Sequence, residues 1–93
     1  MPGSDVYQIE YLESVIKEDI SKIPNADKNI IKKAIEERLS IDPIGFGKPL
    51  RYSLKGHRRL RVSTYRIIYR IVASTKIVLI IAIKHRKDIY KNS

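Results

Sequence analysis

The sequence predicts an α+β fold, a small antiparallel-rich sheet in the order β-α-α-β-β-β with an N-terminal helical hairpin packed on one face. Three observations predict it. Apolar residues recur at helical spacing through 12–39, Pro and Gly gather in 42–56, and β-forming residues dominate 59–83.

Residues 6–11, Val-Tyr-Gln-Ile-Glu-Tyr, alternate with a period near two and are rich in β-formers, the pattern of a short strand. The period then changes. Leu12, Val15, Ile16, Ile20 and Ile23 recur at helical spacing, with Glu13, Lys17, Glu18 and Lys22 on the other side, until Pro24-Asn25 interrupts. A second helix begins from a cap at Asn25 or Asp27 and carries Ile30, Ile31, Ala34, Ile35 and Leu39 as its apolar positions. So short a turn between two helices makes them an antiparallel hairpin.

Pro43, Gly45, Gly47, Pro49 and Gly56 mark 42–56 as a loop, with Leu50 and Leu54 as its anchors in the core. Beyond it, Arg59-Leu60-Arg61-Val62 alternates, which sets His57, Arg59 and Arg61 on one face and Leu60 and Val62 on the face that meets the helices. Residues 65–72 form the next strand, with Tyr65 and Tyr69 sharing a face with Ile67 and Ile71, as core or partner-contact residues. Ala73-Ser74-Thr75-Lys76 makes a hairpin turn, and 77–83 is a strand apolar on both faces, as at the centre of a sheet. The tail, 84–93, is polar apart from Ile89 and Tyr90. Residues 1–5, opening Met-Pro-Gly-Ser, read as a cloning remnant or disordered lead-in, and 6–93 as a single domain with one modest core.

Charge divides the chain at its middle. Residues 1–46 carry six Lys and Arg against nine Asp and Glu, a formal −3, whereas 47–93 carry thirteen against one, a formal +12. Positive charge packed so densely repels itself and does not build a core, so the second half points to an anionic partner, a nucleic acid or an acidic protein. With no Cys there is no disulfide, thiolate nucleophile or Cys-ligated zinc. The basic half has one acid and two His, too few clustered ligands for a metal site, and Gly45 and Gly47 precede a strand rather than open a helix, so they form no phosphate loop. No metal and no cofactor are expected. No apolar run approaches the roughly 20 residues of a membrane span, and no secretory signal is visible, so a cytoplasmic protein without membrane contact is expected.

Three stretches together carry a resemblance: Gly47-Lys48-Pro49-Leu50 through Leu54-Lys55-Gly56, then residues 59–69 (Arg-Leu-Arg-Val-Ser-Thr-Tyr-Arg-Ile-Ile-Tyr), then His85-Arg86-Lys87-Asp88-Ile89-Tyr90. With the order of elements, they make the chain resemble the RelE/ParE superfamily of toxins from bacterial toxin–antitoxin pairs, over nearly all of 6–92. The resemblance implies a RelE-like mRNA interferase, a cytoplasmic endoribonuclease that enters the ribosomal A site and cuts mRNA by 2′-hydroxyl attack on the adjacent phosphate, with no metal. It also implies an antitoxin partner of the RelB kind, which an acidic segment would suit.

The resemblance assigns roles by position. Arg59 and Arg61 match basic residues that hold substrate phosphates or assist proton transfer, and Lys48, Lys55 and Lys84 join them as RNA-binding cations. Arg66 matches the arginine that stabilises the transition state. His85 and Arg86, at the end of the last strand, match positions where relatives place a catalytic histidine or arginine, and Tyr90 matches a tyrosine that stacks on a base or assists the proton relay. These residue types suit the chemistry, because guanidinium groups meet a phosphate with two parallel hydrogen bonds while a base and an acid move the protons. The chain departs from the family pattern in three places, one of them the spacing between Arg86 and Tyr90, which is shorter than in some ribonucleases. Ser63-Thr64 stands where a Gly-Asp pair is common, and arginine replaces lysine at 59 and 61, which cannot release a proton near neutral pH.

Other readings of the same residues stand beside these. His85 serves as general base or as a solvated surface histidine, Tyr90 stacks on a base or docks the tail, and Arg66 meets substrate or pairs with an acid from the helices. At the level of the whole chain, the alternatives are a ParE-like inhibitor of DNA gyrase with no chemistry of its own, and an RNA-binding relative that has lost catalysis.

Overall fold

The computed structural model describes residues 6–51 and 55–87. The proposed lead-in 1–5, the anchor Leu54, and Ile89 and Tyr90 of the tail lie outside the described residues. The elements are β1 (Gln8–Tyr11), helical segment α1 (Val15–Asp19 running into Ile20–Lys22), α2 (Asn25–Ala34 continuing through Ile35–Leu39), a short α3 (Pro43–Phe46), β2 (Lys48–Pro49), β3 (Arg58–Val62), β4 (Tyr65–Val72) and β5 (Ile77–His85). The five strands form one sheet in the order β1-β5-β4-β3-β2. β1 runs parallel to β5, and the other three pairings are antiparallel.

One face of this sheet is packed against the helices. Val15 of α1 and Ile31, Ala34, Ile35 and Leu39 of α2 are buried with Leu60, Val62, Tyr65, Ile67, Tyr69, Val78, Ile80 and Ile83 of the strands. Burial of an Ile or Leu side chain contributes about 1.5–3 kcal/mol, so this one cluster is the principal source of stability. The stripe is narrower than the apolar spacing implied, because Leu12, Ile16 and Ile30 stay 37%, 55% and 53% exposed. Ile16 lies with Ile20, Ile23, Ile31 and Ile35 along a groove of about 350 Å3 between α1 and α2.

Four differences from the sequence reading have physical causes. The second helix starts after Pro24, not from a cap at Asn25 or Asp27, because Pro24 already has an extended backbone and its carbonyl accepts from the Lys28 amide. The predicted loop contains α3, opened by Asp42 with Pro43 at the first position, and Asp42 Oδ1 accepts from the Gly45 amide at 2.9 Å. It also contains β2, two residues paired with Arg58 and Arg59, so the sheet has five strands instead of four. Finally, β5 carries a bulge: Ile68 pairs with Ala82 while Tyr69 pairs with Ile80. The extra residue rephases the strand, so Val78 and Ile80 before it and Ile83 after it all face the core.

Candidate nucleic-acid interface

The face of the sheet turned away from the helices carries the cations. Residues directly opposite in an antiparallel ladder share a face, and the register places Arg61 of β3 opposite Arg66 of β4, and Arg66 opposite Lys84 of β5. Three positive side chains therefore stand abreast across three strands. One step along, Lys48 of β2 faces Arg59 of β3. The alternation that buries Leu60, Val62, Tyr65 and Ile67 sends Arg59, Arg61 and Arg66 to this side, as the period-two pattern implied. Arg61 and Lys84 are exposed and Arg59 and Arg66 half-buried.

Lys84 has an acidic neighbour that sequence proximity did not reveal. Its Nζ lies 3.0 Å from Asp19 Oδ1, and Asp19 Oδ2 accepts from the Ile83 amide at 2.8 Å. The last pairing of β1 with β5 joins Tyr11 and Ile80, so the outer edge of β5 beyond that point needs another partner. Asp19 supplies it from α1 and neutralises one end of the cationic row.

The structure does not bring His85 into that row. His85 pairs with Tyr65 in the ladder and so shares the helix-facing side, where the two rings meet edge to face with centroids 5.1 Å apart. Its Nδ1 accepts from the Lys87 amide at 3.1 Å, which keeps a neutral imidazole's proton on Nε2. Arg86 is exposed, and its amide donates to Thr64 O at 2.7 Å, drawing the end of β5 against the β3–β4 turn. That turn uses Ser63 at φ 54°, a left-handed conformation, at the position where the resembling family commonly has Gly. Lys55 is exposed in the turn that ends at Gly56. Tyr90 lies outside the described residues.

Three residues that sequence reasoning passed over complete the surroundings. Arg58 points to the core side and donates to the carbonyls of Ile44 and Gly47 at 2.7 and 3.1 Å, tying the end of α3 to β3. Its parity with Leu60 and Val62 was the available signal. Arg38 of α2 and Phe46 of α3 join Lys48, Arg59, Leu60 and Arg61 around a cleft of about 270 Å3 beside the outer edge of β3. Beneath α3, Tyr69 donates to Pro43 O at 2.5 Å. Burial raises the Tyr69 phenol above the ordinary tyrosine value, opposed by its hydrogen bond and charge interaction with Arg58. Among the described residues no three His, Cys, Asp or Glu side chains converge as a metal site would need, and no helix is long and apolar enough to cross a membrane.

Comparison with known proteins agrees with this architecture. The family model of the ParE toxin of type II toxin–antitoxin system, parDE, matches residues 9–90. Toxin RelG of Mycobacterium tuberculosis is 36% identical over 75 residues, which make up 81% of this chain and 86% of that protein. The toxin–antitoxin complex RelBE2 from M. tuberculosis has a chain that superposes with a TM-score of 0.82 at 31% identity, covering 87% of this chain and 92% of that one. The isolated RelE toxin of Escherichia coli superposes with a TM-score of 0.70 at 20% identity over 92% of this chain and 93% of that one, a likeness of fold. A five-stranded sheet with helices on one face, a cationic opposite face and these relatives lead to one assignment: the chain belongs to the RelE/ParE superfamily and is a toxin of a type II toxin–antitoxin pair.

Proposed function

We propose that this toxin is a ribosome-dependent endoribonuclease that cuts mRNA in the A site by attack of a 2′-hydroxyl on the adjacent phosphate. The observation that carries the reading is the alignment of Arg61 with Arg66 across β3 and β4. Two guanidinium groups held side by side repel each other, and a phosphate with developing negative charge relieves that repulsion with fixed, permanently charged donors. In this reading Arg66, with Arg86 at the strand end, stabilises the five-coordinate phosphorus. Arg59, Arg61, Lys48, Lys55 and Lys84 hold the flanking phosphates, and His85 or Tyr90 moves the protons. For His85 to accept a proton at Nε2, its Nδ1 contact with the Lys87 amide must first open. A RelB-like antitoxin silences the toxin by covering the cationic face.

The test is primer extension on a defined mRNA in reconstituted 70S complexes with a filled P site. New ends at the A site are expected, with free RNA cut little. Arg66→Ala lowers the cleavage rate about 10²–10³-fold, and whichever of His85→Ala and Tyr90→Phe costs about 10²–10⁴-fold identifies the proton-transfer group. Intact mRNA on ribosomes overturns the proposal.

One observation favours a second reading, a non-catalytic inhibitor of DNA gyrase: the matching family model is that of the ParE toxin. The fold serves both activities and cannot separate them. Inhibition of gyrase supercoiling with mRNA left whole would select this reading over the first.

A further inference from the structure

We infer that the cleft beside Phe46 is a stacking subsite for one unpaired RNA base, with the cations around it holding the neighbouring phosphates. The inference takes its nucleic acid, RNA, from the ribonuclease reading. Phe46 is the single Phe of the chain, and it is 52% exposed. An exposed aromatic on a mobile loop would signify little, but this one is fixed from three sides. Asp42 caps the turn that carries it, buried Tyr69 holds the Pro43 carbonyl, and Arg58 holds the carbonyls of Ile44 and Gly47. Around the ring stand Arg38, Lys48, Arg59 and Arg61, and among the described residues no carboxylate lines the cleft.

The shape selects the occupant. Its volume of about 270 Å3 lies just below the roughly 300–1,000 Å3 of small-ligand pockets, room for a single base. A docked helix or strand of a protein partner would need successive apolar pockets. Here the apolar lining among the described residues is one ring and the nearly buried Leu60, 3% exposed. One π-face among guanidinium and ammonium groups is the arrangement that binds single-stranded nucleic acid. The cleft is continuous with the cationic row through Arg61, so a strand whose phosphate meets Arg61 and Arg66 can lay a neighbouring base on Phe46.

The experiment uses an uncleavable 2′-O-methyl RNA oligomer containing 2-aminopurine, titrated with the full chain without ribosomes and followed by anisotropy and base fluorescence. Phe46→Ala should weaken binding about 5- to 100-fold and abolish the stacking quench, with an unchanged salt slope because no phosphate contact is lost. Phe46→Trp should restore both. Arg38→Gln should reduce the salt slope by about one while keeping the quench. Equal affinity and equal fluorescence for Phe46→Ala and the parent chain overturn the inference, as does a Phe46-dependent loss seen with an acidic peptide and not with RNA. Equal binding and quenching of the matching DNA oligomer overturns the assignment to RNA. Circular dichroism confirms that the exposed substitution leaves the fold intact. Because this readout needs no cleavage, its failure is separable from that of the ribonuclease reading, which is tested on 70S complexes.

Discussion

Arg61 stands directly opposite Arg66 in the β3–β4 ladder, with Lys84 opposite Arg66 on the other side. Cross-strand pairs of this kind are worth roughly 0.2–1 kcal/mol, and like charges make the sign unfavourable. Removing the central charge while keeping an aliphatic stem of similar length should therefore stabilise the free toxin. Arg66→Met is expected to raise the unfolding free energy from urea titrations at low ionic strength by a few tenths of a kcal/mol up to about 1 kcal/mol, and under the ribonuclease proposal to lower ribosomal cleavage at the same time. Phosphate should raise the melting temperature of the parent chain more than that of the variant, by mass action on the anion-bound folded state. A variant less stable than its parent would show that the charges are not in conflict.

Asp19 joins α1 to β5 through two different contacts, and substitutions can separate them. Asp19→Ala leaves the Ile83 amide without its partner, at a cost of about 1–3 kcal/mol. Asp19→Asn keeps an acceptor for that amide and loses only the ion pair with Lys84, whose side chain is 48% exposed, so its cost stays below about 1 kcal/mol. Under the proposed RNA-binding role, the freed Lys84 should steepen the salt dependence of binding to RNA. Urea titrations of the two variants beside the parent check the first claim, and RNA titrations at several salt concentrations check the second.

The faces of β3 and β4 were legible because one side is buried: Leu60, Val62, Tyr65, Ile67 and Tyr69 sit where their alternation implied, which fixes Arg59, Arg61 and Arg66 on the other. β2 was not legible, since two residues containing Pro49 are too short to display a period. The start of α3 was legible in principle, as Asp followed by Pro is a helix-opening signal, but it was outweighed by the Gly and Pro around it. The same limit governs the site. Local patterning separates inward from outward residues, so the outward placement of Arg59, Arg61 and Arg66 could be read from spacing, whereas Lys84 joins them only because β5 is bulged and runs on to His85. Asp19 meets Lys84 across 65 positions of sequence, and Arg38 and Phe46 reach Arg59 only through the packing of α2 and α3 on the sheet. Contacts of that kind exist only after folding.

Gly47 is required for space, not for its backbone angle, which any residue adopts. A Cβ there would overlap Tyr69 Oη and lie 2.8 Å from Arg59 O. Gly47→Ala is expected to cost roughly 1–3 kcal/mol, the usual range for overpacking. Adding Tyr69→Phe removes the overlapping hydroxyl, so the double variant should be more stable than the sum of the single effects predicts. Strict additivity in thermal or urea unfolding would argue that the two residues are not in contact.

Tyr69 also contributes to the pH dependence of stability at alkaline pH. Burial raises its phenol above the ordinary value of 10.0, and burial followed by the charge of Glu36 does the same for Tyr11. In each case the folded state holds the proton more tightly than the unfolded chain does. Between the unfolded and folded values the native state therefore binds more protons, and stability falls as pH rises. The contribution is fully present below about pH 10 and is lost as pH climbs through the folded values. Urea midpoints should hence be insensitive to these groups from neutral pH to about 9 and decline from about 10 upward. Tyr69→Phe should shallow that decline by removing one of the raised phenols, while lowering stability at neutral pH by about 0.5–1.5 kcal/mol for the lost hydrogen bond to Pro43. An equally steep decline in the variant would show that the Tyr69 phenol is not held protonated by the fold.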